Sequence, residues 1–184
     1  MIPLVAIIGL PNTGKSTFFN KVLSQRKALT HHEAGTTRDR AYGLVNWSGF
    51  SFFLIDTAGI SGKADSELEK NIQKQTKIAI SEADLIIVMV DGKTNPGSQD
   101  FALAQNLTRT DKPRLLAVNK IETRSDKTQS AVEAYQKLGL GKPFPVSSIN
   151  GSGMGDLLDV ITQTLKQRYP ALTADYSGRL KLAL

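Results

Sequence analysis

Gly9-Leu10-Pro11-Asn12-Thr13-Gly14-Lys15-Ser16-Thr17 fits the pattern of glycine, four residues, then glycine-lysine-serine or threonine. Glycines let the backbone curl until successive N–H groups face one phosphate, and a following helix adds the positive end of its dipole. In such a cradle Lys15 reaches the terminal phosphates of a nucleotide, and Ser16 offers its hydroxyl to Mg2+. The bland alternative is a chance match in a glycine-rich turn. Against it stand the flanks: apolar Leu4-Val5-Ala6-Ile7-Ile8 before the loop, and Phe18, Phe19, Val22 and Leu23 at helical spacing after it.

Further along, Asp56-Thr57-Ala58-Gly59 follows an apolar run. In phosphate-loop enzymes an aspartate so placed holds magnesium, usually through a water, and the glycine N–H meets the γ-phosphate. Asn119-Lys120-Ile121-Glu122 is the candidate for reading a base. The Glu122 carboxylate accepts both N–H donors on the guanine edge, the Lys120 stem covers the ring, and Asn119 braces the loop. Adenine lacks that donor pair, so guanine is selected. Ser147-Ser148 follows the last strand, where backbone N–H groups are expected to bond the guanine oxygen.

The elements that must hold these residues alternate. Strands are expected at 4–8, 85–90, 114–118 and 142–146, the last near an edge because it contains two prolines. Residues 41–47 and 50–55 flank Ser48-Gly49 as a hairpin. Helices are expected after the phosphate loop and at 66–80, 99–107, 126–138 and 154–168, the last with Leu157, Leu158, Ile161 and Leu165 as its stripe. This order implies an α/β fold: a mostly parallel six-stranded sheet with one antiparallel strand and helices on both faces. Ligands bind such sheets at the carboxyl ends of the strands, where every candidate motif falls.

The chain has 184 residues, 40% of them hydrophobic and none of them cysteine, so it suits one soluble domain without disulfides or cysteine-based chemistry. No apolar run is long enough to span a membrane, and no secretory leader is evident, so a cytoplasmic setting is expected. The net charge of +6 is spread along the chain, which suits either contact with nucleic acid or a merely solvated basic surface. His31-His32 lacks a third ligand and is expected to be solvated loop. Trp47 is expected to pack on the hairpin.

Together these motifs resemble the translation-factor-type GTPases, and most of all the first GTPase domain of the Der/EngA family of bacterial ribosome-assembly GTPases. Leu10-Pro11-Asn12, Gly35-Thr36-Thr37-Arg38-Asp39-Arg40, Asp56–Ile60 and Gly153-Met154-Gly155-Asp156-Leu157-Leu158 carry the likeness, which covers residues 1–168 as a P-loop GTPase (G) domain. Era and the tRNA-modification GTPase share most of these motifs. The resemblance implies GTP and GDP as ligands, hydrolysis as a switch, and ribosomal RNA or a ribosomal subunit as partner. By the same likeness Thr37, with Thr36 as competitor, binds magnesium and senses the γ-phosphate beside Lys15 and Gly59. Asn12 matches a K+ ligand, Thr17 touches the α-phosphate, and Arg38 and Arg40 form a partner-facing surface or a finger in cis.

Two residues depart from the pattern. Ile60 stands where many GTPases carry a water-orienting glutamine, which implies slow hydrolysis stimulated by K+. Glu122 stands where the family has aspartate, so guanine preference is expected to persist in weakened form. Residues 169–179 suggest a linker, and Lys181-Leu182-Ala183-Leu184 aligns with Leu4-Val5-Ala6-Ile7. A second G domain is therefore expected to begin at 180–184, and the family adds a KH-like domain in cis. The single domain is expected to be a monomer.

Overall fold

The computed structural model describes residues 2–24, 41–57, 78–123 and 125–170. Its strands are β1 (Leu4–Ile8), β2 (Ala41–Trp47), β3 (Phe50–Asp56), β4 (Leu85–Asp91), β5 (Arg114–Asn119) and β6 (Pro143–Pro145). Its helices are α1 (Lys15–Ser24), α2 (Ser98–Thr108), α3 (Asp126–Ala134) and α4 (Met154–Arg168), and residues 78–82 are also helical. The strands form a six-stranded sheet in the order β2-β3-β1-β4-β5-β6. All neighbouring pairs are parallel except β2 with β3.

The β2–β3 hairpin turns on Ser48 and Gly49, with φ of 50° and 74°. Two successive left-handed residues give the backbone twist that matches the flanking strands. The central strands β1 and β4 are apolar up to Asp91 at the end of β4, because both faces are covered. Val5, Ile7, Ile87 and Met89 point toward α1 and α4, where they meet Phe18, Leu157 and Leu158. Ala6, Ile8, Ile86 and Val88 point the other way, toward Ala104, Leu107, Val132 and Tyr135.

Two elements differ from the sequence expectation. The helix expected over 126–138 is α-helical only to Ala134, then tightens into a 3-10 turn over Tyr135–Leu138 that ends at left-handed Gly139. The tighter turn accompanies a fully buried Tyr135 whose hydroxyl is committed to the neighbouring loop. The last strand is shorter than 142–146 and does lie at the sheet edge, as its prolines require.

Residues 25–40, with His31, His32, Thr36, Thr37, Arg38 and Arg40, lie outside the described residues. So do 58–77, with Gly59 and Ile60, and 171–184, with most of the expected linker and the expected final strand. At the amino ends of the parallel strands, the Asp84 carboxylate accepts the Leu4 amide at 2.8 Å and also the Tyr169 hydroxyl. That contact seats the end of α4 at the foot of the sheet, away from the motif-bearing edge.

Candidate nucleotide site

At the end of β1 the chain passes Gly9 close under β4. A Cβ at Gly9 would stand 2.2 Å from the Met89 carbonyl oxygen, so no larger residue fits. Asn12 and Gly14 then adopt left-handed φ of 64° and 92°, which folds the loop back before α1 begins at Lys15. A Cβ on Gly14 would meet the Asn119 side-chain nitrogen at 2.2 Å. The Thr13 hydroxyl donates to the Leu10 carbonyl at 2.9 Å, and the Lys15 ammonium donates to the same oxygen at 2.7 Å.

Lys15 is only 6% exposed. Burial pushes its ammonium below the ordinary value of 10.5, and the nearby Asp56 charge partly offsets this. A cation held in so dry a place suits an incoming polyanion. Asn12, Ser16 and Thr17 are exposed on the loop and the first turn of α1.

Asp56 ends β3 and is itself buried. The next residue, Thr57, donates its hydroxyl to the Ile7 carbonyl at 2.7 Å and so pins the end of β3 to the end of β1. The Ser16 hydroxyl and the Asp56 carboxylate are hard oxygen donors of the kind Mg2+ takes. Among the described residues no group of three or more His, Cys, Asp or Glu forms a protein-only cage.

Asn119, the last residue of β5, is 2% exposed and fully engaged. Its nitrogen donates to the Thr13 carbonyl at 2.8 Å, while its oxygen accepts the Ser148 amide at 3.0 Å and the Ser148 hydroxyl at 2.9 Å. The phosphate loop, the end of β5 and the loop after β6 are thereby joined through one side chain. The Ser147 amide donates to the Ser152 carbonyl at 2.8 Å. Both serine amides are thus paired within the protein, the Ser148 amide to Asn119 and the Ser147 amide to Ser152. Their reach is spent on closing their own loop and on satisfying the buried Asn119 oxygen.

Lys120 takes a left-handed φ of 68°, and its ammonium meets the Asp91 carboxylate at 2.5 Å. Glu122 is exposed, with its carboxylate accepting from the Lys93 ammonium at 3.0 Å. Asp91 also accepts the Lys93 amide at 3.0 Å, and the Tyr135 hydroxyl bridges the carbonyls of Asp91 (2.7 Å) and Thr94 (3.1 Å). Burial pushes the Tyr135 phenol up from its ordinary value of 10.0; the Thr94 contact opposes this, and the Asp100 and Asp91 charges reinforce it.

Asp91, Lys93 and Tyr135 are site-supporting residues that the sequence motifs do not single out, and Thr57 lies within a motif that gives it no role of its own. Asp91 carried a usable signal, an acidic residue directly after the apolar run 85–90, while its register with Asn119 appears only in the folded sheet. Tyr135 carried none, because its spacing marks only a core-facing helix position. Trp47 packs as expected, but it also donates its indole N–H to Asp159 at 2.7 Å. No helix among the described residues is long and apolar enough to cross a membrane.

The sequence signature of the 50S ribosome-binding GTPase family matches residues 4–120. The chain belongs to that family. Like its relatives, this family member carries the G-domain motifs on a phosphate-loop α/β sheet. It is similar to GTPase Der of Thermomicrobium roseum, with 45% identity over 180 residues, covering 95% of this chain and 39% of the relative. The chain thus spans about two-fifths of that curated relative. Among solved structures it resembles Era of Aquifex aeolicus bound to GDP and AlF4–, at 28% identity with a TM-score of 0.71, covering 88% of this chain and 56% of the other. A second Era structure, with MgGDPNP and a segment of 16S ribosomal RNA, matches at 28% identity with a TM-score of 0.70 and the same coverage of 88% and 56%.

Proposed function

We propose that this domain binds guanine nucleotide with Mg2+ and hydrolyses GTP to GDP and phosphate as a molecular switch in ribosome assembly. The observation that carries this reading is the buried Asn119, which joins the phosphate loop to the two base-side loops as one prepared site. Lys15 and the amino end of α1 supply fixed positive charge where the phosphates lie, so charge building on their oxygens is stabilised without reorganisation. Ser16 and Asp56 would hold magnesium, which when bound offsets charge on the phosphate oxygens. Thr17 lies one residue further along the same turn, toward the α-phosphate.

Thr37 and Gly59 are assigned to closing over the γ-phosphate, on their place in the sequence motifs. Glu122 is assigned to the guanine edge, Lys120 to one face of the base, and Asn12 to K+. A ribosomal RNA or ribosomal subunit partner is supported by the family's description, by the RNA in the Era complex and by the net charge of +6. The greater length of GTPase Der fits an arrangement in which a second G domain and a KH-like domain follow in cis. In this reading the domain is itself a monomer and works in the cytoplasm.

A second reading is a nucleotide-dependent binding module with negligible turnover. Ile60 favours it, because a butyl side chain has nothing with which to orient water. The test combines titration of labelled GDP and ADP with single-turnover phosphate release from GTP, with and without Mg2+. Tighter binding of GDP and Mg2+-dependent release are expected. Equal affinities would end the guanine assignment, and release no faster than in buffer would leave the binding module.

A further inference from the structure

Glu122 is one methylene longer than the aspartate of the motif it otherwise fits. The extra rotatable bond lets the carboxylate swing, and a swinging acceptor must be ordered each time a base arrives. The structure supplies a partner on the facing turn: the Lys93 ammonium donates to Glu122 Oε1 at 3.0 Å.

That lysine is held in place. Its own amide donates to Asp91 Oδ1 at 3.0 Å, and the Thr94 amide and hydroxyl both bond the Asp91 carbonyl, at 3.2 Å and 3.0 Å. The fully buried Tyr135 fastens the same turn through its hydroxyl. Asp91 Oδ2 meanwhile holds Lys120. On the Glu122 side, the Asn150 side chain donates to the Glu122 carbonyl at 3.3 Å, fixing the backbone from which the carboxylate hangs.

We propose that Lys93 is a specificity-determining positioning residue, which holds the longer Glu122 carboxylate in place to read the guanine edge. This rests on the guanine-nucleotide reading above. A carboxylate offers two oxygens and about four lone-pair sites. The ammonium takes one site on Oε1, leaving one there and both on Oε2. Guanine needs two acceptors, one for its ring N–H and one for its 2-amino group, so the pair with Lys93 leaves the reading capacity intact. Lys93 and Glu122 side chains are 60% and 44% exposed, so the effect is modest and salt-sensitive.

The test is the ratio of affinities for GDP and IDP, which differ only in the 2-amino group. Affinities are measured by competition against labelled GDP at low and high salt. The wild type is expected to prefer GDP. Lys93→Met should shrink that preference by about two- to fivefold at low salt and by less at high salt, and Lys93→Arg should restore it. In a Glu122→Asp background, Lys93→Met should leave the ratio unchanged, because the shorter carboxylate no longer reaches the ammonium. If Glu122→Ala abolishes the preference while Lys93→Met leaves it at the wild-type value, the positioning role of Lys93 is overturned. If Glu122→Ala itself keeps the full preference, the base-reading assignment beneath it is what fails.

Discussion

Asn119 and Thr13 lie 106 residues apart in sequence, and a 2.8 Å hydrogen bond from the Asn119 side chain to the Thr13 carbonyl joins them inside the protein. The same amide takes two hydrogen bonds from Ser148, so no valence of its oxygen faces inward unsatisfied. Asn119→Ala strands the Thr13 carbonyl and the Ser148 donors in a buried place. An unpaired buried group costs about 1–3 kcal/mol. Calorimetry should show a melting temperature lower by roughly 2–4 °C for each kcal/mol lost, and labelled GDP should bind much more weakly. Asn119→Asp keeps the acceptor for Ser148 but not the donor to Thr13, so it should rescue part of the stability and little of the binding.

Lys15 gives a pH signature in the nucleotide-free protein. Its folded-state pKa is depressed by burial, so the unfolded chain keeps the proton up to about 10.5 while the folded chain sheds it sooner. Between those two values the unfolded state binds more protons, and stability therefore rises with pH on account of this group. Lys15→Met should remove that part of the rise and make the protein relatively more stable near neutrality, while abolishing nucleotide binding. Urea unfolding at neutral and alkaline pH, for both proteins, checks the sign.

Asn12 is exposed and left-handed, with φ of 64°. Asn12→Gly keeps that backbone accessible and removes only the side-chain amide. GTP hydrolysis by the wild type is expected to run faster in K+ than in Na+, and the variant is expected to lose the difference. Equal wild-type rates in the two salts refute the potassium role.

Tyr135 connects a buried helix position to the turn after β4. Tyr135→Phe removes one hydroxyl bonded to that turn and should cost about 1 kcal/mol in urea unfolding. The phenol is pushed above its ordinary value of 10.0, so its neutral form is favoured by folding. The stabilisation it brings is present at neutral pH and is lost only as pH rises through the raised folded value. The difference between wild type and variant should therefore hold steady from pH 6 to pH 9.

Much of this molecule could be read from residue order because its signals are local. The continuous apolar runs in Leu4–Ile8 and Leu85–Asp91, the Ser48-Gly49 turn and the stripe on Met154–Arg168 each announce their element without help from distant chain. The phosphate loop and Asp56 are likewise marked by short motifs. What escaped lies in pairings across the sheet edge. No spacing rule connects Lys93 to Glu122 or Tyr135 to Asp91, since their meeting depends on how β4, β5 and the turn after α3 come together. Likewise, nothing in the motif reveals that the Asn119 oxygen takes both the amide and the hydroxyl of Ser148. The 3-10 ending of the fourth expected helix is a tertiary effect as well.

The Asp84 carboxylate has a topological consequence. By binding the Leu4 amide and the Tyr169 hydroxyl together, it brings the first strand and the residue after the last helix to one point at the foot of the sheet. The described fold is close to a ring that happens to be open there. A short glycine-rich bridge from just beyond Tyr169 to the residues before Leu4 would close it, and the exposed Ser48-Gly49 turn offers a place to open it instead. Such a permuted chain would begin and end on the hairpin, with every contact around Asn119 unchanged.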